Sequence, residues 1–203
     1  MSTIIEPTQP QSATEDTAVQ RILLEGIAWE RYEQLSACFP DSLALRLTYI
    51  DGSLEIISPV GPNHENWKET ICYLLEAYLD FKGVRFSGRG GFTLKEPGRA
   101  GGEPDASHCI GTDKPVPDLV VEVVDTSDAL SKLPLYGAVG IPEVWIWRQH
   151  ALEIHVLDQA QGTYRRSSAS RLLPELDVEL RAAHVQMPDQ YDAVRAFRRA
   201  LAG

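Results

Sequence analysis

The run Pro117 to Asp125, PDLVVEVVD, constrains this chain more than any other segment. Leu119, Val120, Val121, Val123 and Val124 are aliphatic and mostly β-branched, the composition of a strand. Side chains alternate along a strand, so Leu119, Val121 and Val123 share one face and Asp118, Val120, Glu122 and Val124 the other. Both faces are apolar, which a solvated edge strand would not need. Glu122 therefore lies in the middle of a buried run. A carboxylate there is costly unless it is paired or holds a metal.

A second short acidic segment, EPDAS (Glu103 to Ser107), precedes it and also contains Pro-Asp. Asp105, Ser107 and Cys109 share a face of that strand. Antiparallel pairing of the two strands would bring Asp105 and Glu122 together. Two converging carboxylates repel, and a hard cation resolves the conflict. Oxygen ligands suit Mg²⁺ or Mn²⁺, with water and a substrate phosphate completing the shell. A bound water can then attack phosphorus. Lys132, in the first turn of the helix that follows, can reach back over the strand end and offset negative charge. Tyr136 lies four residues on, on the same helix face. Asp118 is a third candidate ligand, although an aspartate after proline also serves simply to cap a turn. The plainer alternative for Glu122 is a structural ion pair with Lys132.

Length and charge limit the alternatives. The 203 residues suit one domain, expected over residues 18–203 after a disordered leader at 1–17 rich in Ser, Thr, Pro, Gln and Glu. A formal net charge of -10 argues against a protein that coats nucleic acid by bulk electrostatics. It does not exclude an enzyme that meets DNA through a local basic patch and a metal ion. No apolar run approaches the roughly 20 residues that span a bilayer, and no secretory signal is visible. Cys38, Cys72 and Cys109 form no CxxC pair. A cytoplasmic, reduced protein is expected.

Periodicity predicts a helix over Ile27 to Cys38 and a hairpin of Leu43 to Ile50 with Gly52 to Ser58, turning at Asp51-Gly52. A helix over roughly His64 to Phe81 follows, with Asn63 as its N-cap. Trp67, Ile71, Leu74, Leu75 and Tyr78 form its apolar face, which His64 shares. Glu65, Glu69 and Glu76 are expected to face water. Strands are expected at Val84 to Ser87 and Gly91 to Leu94, with a flexible loop from Lys95 to Gly102. After the acidic strands, Ser127 and Asp128 can cap a helix over roughly Ala129 to Val139, ended by Gly140. Glu143 to Arg148 and Leu152 to Leu157 form a further pair, Thr163 to Ser167 an edge strand, and Asp189 to Leu201 a helix. Trp145 and Trp147 are expected in the core or at a subunit contact. The order describes an α/β (α+β) fold with one mixed central sheet flanked by helices.

These residues resemble the PD-(D/E)XK nuclease superfamily, and in particular its Uma-type restriction endonuclease family. The resemblance runs from about Ile27 to Leu180. It rests on the DGSLEIISP hairpin with the following His64 helix, EPDAS, PDLVVEVVDTSD, KLPLY, GIPEVWIW and LLPELDVEL. It implies a restriction-endonuclease-like core and metal-dependent cleavage of DNA. It also implies that Asp105 and Glu122 hold the metal, that Lys132 is the catalytic lysine, and that His64, or Glu65 instead, is the polar group from the first core helix. The superfamily pattern places lysine two residues after Glu122, where this chain has Val124, so Lys132 would replace it from the helix. A homodimer suits an enzyme that cuts both strands. The competing readings are a nuclease-fold binding or regulatory module with weakened catalysis, and a carboxylate-pair hydrolase acting on a small molecule without metal.

Overall fold

The computed structural model describes residues 20–39, 45–57, 61–124 and 131–203. In chain order the elements are β1 (Arg21–Leu24), α1 (Trp29–Cys38), β2 (Arg46–Ile50), β3 (Ser53–Ile57), α2 (Pro62–Phe81), β4 (Phe86–Gly88), β5 (Leu94–Glu96), β6 (Ala100–Gly102), β7 (Ala106–Ile110) and β8 (Leu119–Val124). There follow α3 (Leu133–Val139), β9 (Glu143–Arg148), β10 (Ala151–Asp158), β11 (Thr163–Ser167), α4 (Val178–Val185) and α5 (Gln190–Ala202). The leader at 1–17 and the caps Ser127 and Asp128 lie outside the described residues.

The aliphatic run of β8 is an interior strand of a six-stranded mixed sheet ordered β11-β10-β9-β8-β7-β4. It pairs antiparallel with β7 and parallel with β9. A parallel pair needs a crossover connection, and α3 lies on the one between β8 and β9. The alternation is as the sequence demands. Val121 and Val123, with Trp145 and Trp147 of β9, pack against Ile71, Leu74 and Leu75 of α2. Val120, with Val144 and Ile146, packs against Leu135 and Tyr136 of α3. Both tryptophans are thus core residues. α4 and α5 join α2 on its side of the sheet.

One sheet was expected; the described residues form two. The second is five-stranded, ordered β1-β3-β2-β6-β5 and antiparallel throughout. The expected hairpin supplies β2 and β3, with Asp51 and Gly52 both at positive φ, as a tight hairpin turn requires. The segment expected to be a loop, Lys95 to Gly102, instead carries most of the β5–β6 hairpin. Ala100-Gly101-Gly102 contains no β-branched residue and so does not read as a strand. Its smallness is a packing requirement: a Cβ on Gly101 would come within 2.5 Å of the Tyr32 hydroxyl oxygen. This sheet packs on the α3 side of the larger one, where Ile50, Leu94 and Ala100 join Val120 and Val144.

Helix ends differ from expectation in ways that follow from local chemistry. α2 begins at Pro62, with Gly61 rather than Asn63 as N-cap; proline suits the first helical turn because its missing N–H is not needed there. Gly140 closes α3 in the left-handed conformation. β1 and α4 were not anticipated. α4 is capped by Asp177, whose carboxylate accepts from Leu180 N at 2.8 Å. It inserts Arg181 into the core, where the guanidinium lies 4.1 Å from the Trp145 ring centroid and donates to Ile71 O. Burial pushes its pKa down to about 9. Among the described residues, no helix is long and apolar enough to cross a membrane.

Gly101→Ala is expected to lower stability by about 1–3 kcal/mol, the usual range for overpacking. A urea titration checks this: the midpoint falls while the slope is unchanged.

Candidate active site

β7 starts at Ala106, one residue after Asp105. The register pairs Ala106 with Val121 and Ser107 with Val120. One step further along that register, Asp105 falls opposite Glu122. The strand pairing therefore brings the two acidic residues together, as the alternation pattern predicted.

Asp105 is almost wholly buried, and each of its carboxylate oxygens is occupied. Oδ2 accepts from Val123 N at 2.8 Å, so the side chain takes up a backbone N–H on β8. His64, at the start of α2, lies with Nε2 3.1 Å from the same oxygen; an ionised carboxylate only accepts, so His64 donates. Arg46, the first residue of β2, donates from Nη1 to Oδ1. Burial disfavours the charged carboxylate. The hydrogen bond from His64 and the positive charges of Lys132 and Arg46 outweigh it and hold Asp105 below the usual carboxylate range.

Glu122 lies on the opposite face of β8 from Val121 and Val123. Lys132, at the N-cap of α3, reaches back over the strand end: its Nζ lies 3.2 Å from Oε1 and 3.0 Å from Oε2 of Glu122, and 2.8 Å from Glu103 O. Pro134 fits within the first helical turn and does not displace the lysine. Tyr136 donates its hydroxyl to Glu122 Oε1. Burial raises the Glu122 pKa, and the nearby Asp105 charge adds to it; Lys132 and Tyr136 compensate only in part. Lys132 is partly buried, which by itself lowers its pKa, but Glu122 and Asp105 reverse the effect and hold it charged. The two carboxylate pKa values are thus shifted in opposite directions, Asp105 down by its donors and Glu122 up by burial and by the Asp105 charge.

The remaining candidates sit elsewhere. Asp118 is at the far end of β8, about 13 Å of strand from Glu122. Its carboxylate accepts from Lys114 Nζ at 2.6 and 2.7 Å and from Ile110 N at 2.7 Å. It ties a turn to β7 and does not join Asp105 and Glu122, which corrects its place among the candidate ligands. Glu65 and Glu76 do not simply face water. Glu65 pairs with Lys68 and lies 3.4 Å from His64 Nδ1 and 3.6 Å from Arg46 Nη2. Glu76 meets the buried His108, 3.2 Å from its Nε2. Arg46 was not anticipated. The alternation that puts Leu47 and Tyr49 on one face of β2 puts Arg46, Thr48 and Ile50 on the other, the face turned toward the six-stranded sheet. A cation at the end of that inward face was the available signal.

No cluster of three or more His, Cys, Asp or Glu side chains able to hold a metal is found among the described residues. The donor set is instead a facing carboxylate pair. That set fits a magnesium-type ion, which keeps several waters and takes one or two protein carboxylates.

The model of the Uma2 family, described as "Putative restriction endonuclease", matches residues 29–188. The chain belongs to the Uma2 family. The match spans α1 through α4 and so takes in every residue of the site. A comparison with curated proteins finds no match. The α+β architecture agrees with the restriction-endonuclease-like core that Uma2 membership implies.

The pH dependence of stability should separate the two carboxylates. The folded pKa of Asp105 is depressed, so its contribution is present above its unfolded value of about 3.9 and is lost as pH falls through the folded value. Asp105→Asn is therefore expected to cost about 2–3 kcal/mol at pH 7 and progressively less below pH 4. The folded pKa of Glu122 is raised, so its contribution is present below about 4.3 and is lost as pH rises through the folded value. The stability of Glu122→Gln relative to the parent should accordingly improve from pH 4 to pH 7. Urea midpoints across this range measure both trends.

Proposed function

We propose that this protein is a divalent-metal-dependent DNA endonuclease, with one Mg²⁺ or Mn²⁺ held by Asp105 and Glu122. The observation that carries the reading is the register that sets these buried carboxylates opposite each other, with Lys132 beside them. The family match supports DNA as the substrate class.

The ion, when bound, would lower the pKa of a coordinated water and stabilise the charge that develops on the phosphate oxygens. The chain's own residues supply the remainder. Lys132 stands where its ammonium can orient the attacking water or meet a non-bridging phosphate oxygen. His64 and Val123 N fix Asp105 Oδ2, and so aim Oδ1. Tyr136 fixes Glu122 Oε1 in the same way. Val124 leaves the usual lysine position apolar, and Lys132 substitutes for it from α3. Cutting both strands of a duplex would take two such centres, which a homodimer supplies.

One observation favours a second reading. Arg46, Lys132, His64, Tyr136 and Val123 N already satisfy both carboxylates. A nuclease-fold binding or regulatory module would look the same.

Incubation with supercoiled plasmid and Mg²⁺ or Mn²⁺ discriminates. The nuclease reading expects nicked and linear products, lost on chelation, and a loss of about 100-fold or more in rate for Asp105→Asn, Glu122→Gln and Lys132→Met. Intact plasmid in the presence of a chain that binds DNA would favour the binding module.

A further inference from the structure

Arg46 holds the position on Asp105 that an ion would need. Its Nη1 donates to Asp105 Oδ1, while Oδ2 is taken by His64 and Val123 N. Among the described residues, the donor to Oδ1 is a removable side chain, whereas the donors to Oδ2 are a backbone group and a ring buried at the head of α2. Arg46 is also the more exposed partner: 27% of its side chain is accessible, against 2% for Asp105. A second carboxylate waits beside it, with Glu65 Oε1 3.6 Å from Nη2. Glu65 is itself partly exposed, and Lys68 shares it. The guanidinium thus has a short path between two acids.

Charge completes the case. With both carboxylates ionised, Arg46 and Lys132 neutralise the centre in the absence of an ion. Adding a divalent cation without moving either would leave two positive charges uncompensated around a buried site. A phosphodiester carries one negative charge, and its pentacovalent state carries two. Among the described residues, Glu65 on the Arg46 side answers part of that excess, and the reacting phosphate answers the remainder.

We infer that Arg46 is a resident cation that exchanges with the catalytic metal. In the metal-free protein it occupies Asp105 Oδ1 and keeps a buried carboxylate charged. When the ion enters, Arg46 gives up that oxygen, is caught by Glu65, and presents its planar fork to a phosphate oxygen of the bound DNA, a geometry that guanidinium suits better than ammonium. This rests on the reading of Asp105 and Glu122 as the ion's ligands. Arg46 makes the ion's entry competitive, so metal and substrate phosphate bind cooperatively.

Calorimetric titration with Mn²⁺ alone tests the exchange, with folding checked by circular dichroism. Arg46→Met removes the competitor and should bind Mn²⁺ about tenfold tighter than the parent, the equivalent of one lost charge-assisted hydrogen bond. Mn²⁺ should also raise its Tm by more than it raises the parent's. Arg46→Lys keeps the charge but not the fork, and should fall between the two; it serves also if the methionine variant does not fold. In single-turnover cleavage at saturating Mn²⁺, Arg46→Met should be at least about tenfold slower despite its tighter ion. Mn²⁺ binding to the parent with no gain in either variant overturns the exchange alone. Tighter binding with undiminished cleavage overturns the transfer to phosphate. Absence of Mn²⁺ binding to parent and variants overturns the metal reading and the exchange with it.

Discussion

The carboxylate of Asp105 joins three parts of the molecule at one point. Through Val123 N it is fastened to the interior strand β8. Through His64 it fixes the start of α2. Through Arg46 it reaches β2, and so ties the small sheet to the large one. Replacing one buried acid at this position would leave a backbone N–H, an imidazole and a guanidinium without their common acceptor. A buried donor left in this way costs more than the bond it once made was worth.

That arrangement explains why the second acid can lie so near. Glu122 is raised toward its neutral form by burial and by Asp105, and Lys132 and Tyr136 answer only part of that cost. The fold stores a pair of acids that prefer not to be charged together, held opposite each other by strand register. Two cations, Arg46 and Lys132, keep the pair tolerable. A buried centre of this kind contributes little to net stability against an apolar replacement. Its cost is offset in the function proposed for it, in which a divalent ion takes over the neutralisation.

Much of this was legible in the sequence, and the parts that were not share a cause. Leu119 to Val124 announced a doubly buried strand, and Glu122 within it marked the candidate site. The helical spacing of Ile71, Leu74 and Leu75 placed His64 on the inward face. Position on a strand was enough to bring Asp105 toward Glu122 and to let Lys132 return from α3. What failed were residues whose meaning lies in a distant partner. Gly101 reads as loop until Tyr32 is packed against it. Arg181 gives no signal in the sequence until α4 brings it to Trp145 and Ile71 O. Arg46 carries no signal within the expected hairpin strand until Asp105 is packed against it. Asp118 failed in the opposite sense: alternation gave it the face of Glu122, but four residues of rise carried it out of reach, to Lys114.

Anomalous diffraction from crystals soaked in Mn²⁺ tests the central claim most directly. The account predicts one strong peak per chain between β7 and β8, bonded to an oxygen of both Asp105 and Glu122 at about 2.1 Å, with Arg46 displaced from Oδ1. A peak bound to neither carboxylate, or no peak at millimolar Mn²⁺, would contradict it.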